Sequence, residues 1–122
     1  YTYDANGERG GVDETVYDAL GLGPRREFAA SEITERIMLA FVNEAARCLE
    51  EGILRSALDG DIGAVFGFGF PPFRGGPFFW VDQMGAETVV AALDRLAEAH
   101  GPRFEAAQIL RTHSDSGEPF RS

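Results

Sequence analysis

The longest patterned stretch covers residues 31–51. Ile33, Ile37, Phe41, Ala45 and Leu49 recur every fourth residue, and Met38, Val42, Ala46 and Cys48 widen the stripe. That period is helical. Ser31 is placed to cap it, Glu32 suits the positive end of the helix dipole, and Gly52 supplies a stop. So broad a stripe predicts a central core helix touching several others, in preference to a cofactor-binding box. A second amphipathic helix is predicted over residues 87–100, with Val89, Val90, Leu93, Leu96 and Ala97 inward and Gly101-Pro102 ending it. Shorter helices are expected at 12–20, 62–66, 78–84 and 105–112. Asp13 is the expected cap of the first, which Gly21-Leu22-Gly23-Pro24 closes. Asp59-Gly60-Asp61 opens the second, and Pro77 and Gly85 bracket the third. The opening YTYDANGERGG reads as a tail or linker, and the closing HSDSGEPFRS is expected to fray.

One stretch breaks the helical pattern. FGFGFPPFRGGPFFW, residues 66–80, holds seven of the fourteen aromatic residues. Its first five residues alternate like a strand, but the glycines and following prolines oppose that assignment. The expected architecture is all-α, a compact bundle of about five or six helices. The run is then a rigid corner leading into the 78–84 helix. Glycines permit close approach or positive φ, and prolines restrict the unfolded chain.

Composition narrows the functions. Hydrophobic residues make up 44% and charged residues 25%, as in a folded domain. No apolar run approaches the roughly 20 residues of a membrane span. The net charge of −9 disfavours nucleic acid and weakens any self-contained site for a polyanionic cofactor. Base stacking on the aromatic run would need positive charge beside it, and Arg74 alone supplies it. Whether Arg74 touches a ligand phosphate stays open. The single cysteine, Cys48, excludes an intrachain disulfide and fits a reducing, cytoplasm-like compartment. Tyr1 in place of a starting methionine reads as processing or as a piece of a longer chain.

The chemistry inventory is sparse. GFGFPP lacks the strand and the third glycine of a dinucleotide fingerprint, and prolines stand where amide donors should face phosphate. His100 falls at a helix C-terminus and His113 in the polar tail, where structural roles are favoured over catalysis. Ser114 and Ser116 read as tail residues, outside any nucleophile motif. Asp59 and Asp61 read as caps in preference to metal ligands. Glu35, His100 and Asp82 could be imagined as acid–base groups, but spacing gives no reason for them to converge.

Two segments, ITERIMLAFVNEAARCLEEGI and DGDIGAVFGFGFPPFRGGPFFWVDQMGAETVVAALDRL, resemble the C-terminal helical repeat of the fatty-acid oxidation complex α-subunit family. The likeness runs from about residue 27 to residue 120 and is densest over 33–85. It implies a division into a connector with a short helix, 1–26, and a helical domain of 3-hydroxyacyl-CoA dehydrogenase type, 27–122. That family joins enoyl-CoA hydratase to an NAD-dependent 3-hydroxyacyl-CoA dehydrogenase in the bacterial cytoplasm. Its dehydrogenase has a nucleotide-binding domain and two helical repeats, and this chain resembles the second repeat. NAD and the catalytic residues would then belong upstream, with no cofactor, metal or catalytic group here. The resemblance also implies a departure. An asparagine–arginine pair opens the long helix of the catalytic repeat, and Glu35-Arg36 stands at that place. A carboxylate cannot donate the amide's hydrogen bond.

The implied role is a non-catalytic scaffold leaning on the upstream nucleotide-binding domain and first repeat. Arg36, Phe68, Phe70, Pro71, Pro72, Gly75, Gly76, Pro77 and Phe78 are its expected structural and interface residues. Exposed rings would also favour self-association of the chain alone. An alternative is a module binding acyl chains or acyl-CoA in an apolar groove near the aromatic run.

Overall fold

The computed structural model describes residues 1–23 and 26–121. Among these, six α-helices and two 3-10 turns account for the regular structure. They are α1 (Thr15–Ala19), α2 (Ala30–Glu50), α3 (Ala57–Phe68), α4 (Pro77–Met84), α5 (Ala86–His100) and α6 (Gln108–Ser116). The 3-10 turns are Pro72–Arg74 and Pro102–Phe104. The opening residues form a small loop closed by an isolated antiparallel bridge between Tyr3 and Arg9. The fold is all-α, as the periodicity predicts.

Several boundaries differ from the pattern, each for a local reason. Helix α1 is shorter than expected, and Pro24, expected to help end it, lies outside the described residues. Asp13 Oδ1 accepts from the Thr15 hydroxyl at 2.6 Å and the Thr15 amide at 3.1 Å, one residue before the N-cap, Glu14. The Thr15 hydroxyl, then its amide, hold the Asp13 carboxyl below the usual carboxylate range. Ser31 caps nothing. Helix α2 begins at Ala30 from an extended Ala29, so Ser31 is already helical when a cap would need an extended backbone.

Helix α3 starts at Ala57, because the Ser56 hydroxyl accepts from the Asp59 amide at 3.1 Å. Asp59-Gly60-Asp61 therefore lies inside α3 and does not open a helix at Ile62. The helix also absorbs the first residues of the aromatic run. It ends where Gly69 takes φ 72° and the Phe70 amide reaches Ala64 O at 3.0 Å. The corner is thus residues 69–76, shorter than the 66–80 run.

Helix α6 begins later than expected and runs on through Ser116, residues assigned above to the frayed tail. The rest of that tail is docked. Asp82 accepts from the Phe120 amide at 2.7 Å and the Arg121 amide at 2.9 Å. The Phe120 ring stacks on His113 with centroids 3.8 Å apart and tilts against Phe78 at 5.3 Å. A sequence rich in Ser, Asp and Gly hides these anchors.

The core gathers Leu39, Val42 and Ala46 of α2, Val81 of α4, Val89 and Leu93 of α5, and Phe104 and Leu110. Each such large side chain contributes about 1.5–3 kcal/mol on burial. The buried face of α2 is not the whole predicted stripe. Ile33 and Ile37 are exposed, Ile37 to 63%, while Leu39, Val42, Asn43 and Ala46 are enclosed. Helix α2 is apolar on two faces, and the core uses one of them.

Candidate functional site

The second apolar face of α2 continues onto α3. Leu58, Ile62 and Phe66 follow one another at i+4 spacing on α3, and all three are exposed, Phe66 to 86%. Gly63 and Gly67 lie on the same helix with open space where a Cβ would stand. Phe41 of α2 joins the two helices: its ring meets Phe68 edge-on at 6.1 Å and Phe70 at 5.4 Å. Phe70 and Phe78 are buried, whereas Phe68 and Phe73 are exposed to 82% and 84%. The aromatic run therefore splits between core and surface.

The corner is held from beneath by Asp61. This carboxylate is 2% exposed and sits within α3, yet it serves the N-terminus of α4. Oδ1 accepts from the Phe78 amide at 2.8 Å, and Oδ2 from the Phe79 amide at 3.2 Å. Arg121 Nη1 lies 3.3 Å from Oδ2. Burial pushes the Asp61 carboxyl above its ordinary range, against the pull of those amides and of Arg121. Pro77 opens α4 at a position whose amide would be unpaired anyway. Gly75 and Gly76 take φ 75° and 111°, and a Cβ on Gly76 would collide with the Asp61 side chain. Pro71 and Pro72 bring the chain into the 3-10 turn. Asp61 thus acts as a cap in trans for another helix, and no cluster of three metal-ligating side chains occurs among the described residues.

Glu35 is half-exposed near the start of α2 and pairs with Arg95 of α5 at 3.1 Å. Arg36 lies 3.8 Å from Glu32, one turn earlier. Glu35 and Arg95 stand in the wall of a groove of about 560 Å³, lined in part by Met38, Leu39, Phe73, Trp80, Met84 and Arg74; Arg36 takes no part in its lining. His100 meets the edge of Phe104, at 6.1 Å, and His113 Nδ1 lies 2.7 Å from Glu118 O. Asp82 is committed to the tail. Glu35, His100 and Asp82 thus keep separate partners and form no acid–base constellation.

Two polar features escaped the pattern. Asn43 is buried on α2; its Nδ2 donates to Glu105 O at 2.8 Å and its Oδ1 accepts from the Ala107 amide at 2.8 Å. Arg47, one turn on, donates to the same Glu105 carbonyl at 2.9 Å. A lone amide inside an apolar stripe was the available signal. Arg111 grips Asp94 with both terminal nitrogens, at 2.6 and 3.2 Å, and this bond raises the guanidinium further above its ordinary range.

Residues 33–122 match the family described as 3-hydroxyacyl-CoA dehydrogenase, C-terminal domain. The chain belongs to this family. It is 48% identical over 111 residues, 91% of its length, to a protein of Shewanella oneidensis named fatty acid oxidation complex subunit alpha. Proteins of that name from Shewanella halifaxensis and Shewanella amazonensis are 44% and 47% identical over 100% and 98% of the chain. The chain spans only 16–17% of the length of these relatives. No helix among the described residues is long and apolar enough to cross a membrane.

Proposed function

We propose that this chain is the second, non-catalytic helical repeat of a bacterial, cytoplasmic multifunctional enzyme of fatty-acid β-oxidation. The parent would join enoyl-CoA hydratase to an NAD-dependent 3-hydroxyacyl-CoA dehydrogenase. In this reading residues 1–26 are a connector and 27–122 the helical domain. The domain supplies an interface for the upstream nucleotide-binding domain and first repeat.

The observation that carries the reading is the outer face of α2 and α3. Helix α3 is apolar nearly all round, a composition suited to cover on both sides. Its inner side has α4; its outer side, with Leu58, Ile62 and Phe66, is bare. Gly63 and Gly67 would let another helix approach closely there. Glu35 supports the non-catalytic part. A carboxylate paired with Arg95 has no amide hydrogen to give to a reacting centre.

The test combines activity and association. The 122-residue chain, given an L-3-hydroxyacyl-CoA and NAD, yields no NADH. Added to the separately produced upstream part, it restores dehydrogenase turnover. The double variant Ile62→Ser, Phe66→Ser keeps its melting temperature but fails to restore activity. NADH formation by the chain alone, or full restoration by the double variant, overturns the reading.

A further inference from the structure

The segment after α6 is held as a foreign peptide would be held. Gly117 leaves the helix at φ 70°, and residues 118–121 run on outside any helix. Their grip comes from side chains of other elements. Asp82 of α4 takes two consecutive amides, those of Phe120 and Arg121, one on each carboxylate oxygen. Main-chain donors of this kind are offered by any residue except proline, so Asp82 fixes the path of the chain and reads no sequence. Sequence is read beside it. The Phe120 ring is stacked on His113 and tilted against Phe78. The Arg121 guanidinium reaches the buried Asp61 at 3.3 Å and lies over the Phe79 ring, 5.4 Å from its centroid. A slot for one ring, followed by a buried carboxylate and a ring face for one cation, selects an aromatic residue and then arginine.

We propose that Asp61, Phe78, Phe79, Asp82 and His113 form a recognition site for an extended peptide in which an aromatic residue is followed by a cation, and that Phe120-Arg121 is its resident, displaceable occupant. Departure of the segment leaves the fold in place. Asp61 keeps the Phe78 and Phe79 amides, and the partly exposed Asp82 turns to water. The Arg121 side chain is itself 35% exposed. Along Glu118 and Pro119 the docked segment borders a cleft of about 230 Å³, which leaves room for other residues ahead of the aromatic one. None of the groups that hold Phe120 and Arg121 belongs to the bare row Leu58, Ile62 and Phe66, so the site is separate from the interface proposed above.

The test empties the site and fills it again from solution. In the 122-residue chain the double variant Phe120→Ser, Arg121→Ser removes both selected side chains. A fluorescein-labelled peptide Gly-Glu-Pro-Phe-Arg-Ser binds it saturably, as read by anisotropy. The parent chain binds the peptide about tenfold more weakly or worse, because its tethered segment competes at a roughly millimolar effective concentration. A peptide with glutamine for arginine binds the double variant about three- to tenfold more weakly. Adding Asp82→Ala to the double variant abolishes binding. Circular-dichroism melts verify folding. A second measurement needs no variant: unlabelled peptide at millimolar concentration speeds hydrogen exchange of the parent's Phe120 and Arg121 amides and leaves the interior of α5 unchanged. Absence of saturable binding to the folded double variant, equal binding by variant and parent, or equal affinity for the arginine and glutamine peptides overturns the proposal. So does exchange at Phe120 and Arg121 that the peptide fails to accelerate, or accelerates only together with α5.

Discussion

Asp61 Oδ1 accepts the Phe78 amide at 2.8 Å, so a carboxylate in the middle of one helix caps the start of the next. Removing a buried, charge-assisted acceptor leaves orphaned amides and an unpaired Arg121. Asp61→Ala is expected to destabilise the chain by about 3 kcal/mol. Asp61→Asn costs less, because its carbonyl oxygen still accepts one amide. Urea denaturation of the two variants checks the order.

The same carboxyl predicts a pH dependence. Its folded pKa is raised above the ordinary value of 3.8, so the folded chain holds the proton more tightly than the unfolded chain. The stability from this group is therefore full below the unfolded value and is lost as pH rises through the folded one. The stability gap between the parent chain and Asp61→Asn is expected to be larger near about pH 3 than near about pH 7. Urea midpoints at both pH values measure it, and a gap that widens toward neutrality contradicts the sign.

The glycines of α3 are not equivalent. A Cβ on Gly63 meets nothing, so Gly63→Ala is expected to stabilise the isolated chain by about 0.5–1 kcal/mol through helix propensity. A Cβ on Gly60 runs into the Phe78 ring and Leu54, so Gly60→Ala is expected to lower the melting temperature. Thermal melts of both variants decide between a packing role and a purely backbone role.

Asn43 ties α2 to the extended residues before α6 through both ends of its amide. Asn43→Ala strips one backbone carbonyl and one backbone amide of partners, with an expected loss of about 2–3 kcal/mol. Asn43→Asp keeps the acceptor but faces the Glu105 carbonyl with a second acceptor, and is expected to be no better. Denaturation curves for the pair test whether the donor and acceptor roles are both needed.

The docked tail makes a kinetic prediction. The amides of Phe120 and Arg121 are bonded to Asp82 and are expected to exchange with solvent more slowly than the amide of the exposed Ala5. Phe120→Ala removes the ring held by His113 and Phe78 and is expected to cost about 2 kcal/mol and abolish that protection. Hydrogen exchange followed by mass spectrometry reads both effects.

Helix type and order were legible because α2 and α5 carry long periodic patterns. The choice of face was not. Ile33, Ile37 and Phe41 share one row of α2, and Leu39, Val42 and Ala46 another, and either could be core by hydrophobicity alone. Only packing with α5 and α6 selects the second. Asp61 was misread for a related reason: a carboxylate beside a helix start reads as a local cap, and nothing nearby in the chain shows that its acceptors serve Phe78 and Phe79. Tail docking depends on Asp82 meeting Phe120, 38 residues away in sequence, which no local motif encodes. The exposed half of the aromatic run was the part of the candidate site most open to reading, since glycine and proline around phenylalanine already argued for a fixed corner. The groove was not, because Arg74, Glu35 and Arg95 come together from separate elements.

Asp61 binds the head of α4 on one side and Arg121 on the other, while its own helix carries the bare row Leu58, Ile62, Phe66. A body pressing on that row therefore pushes on a lever. Sliding α3 by a fraction of a helical turn would have to drag the α4 start and Arg121 with it, or break both attachments together. Contact on that outer row would be felt at the start of α4 and at Arg121.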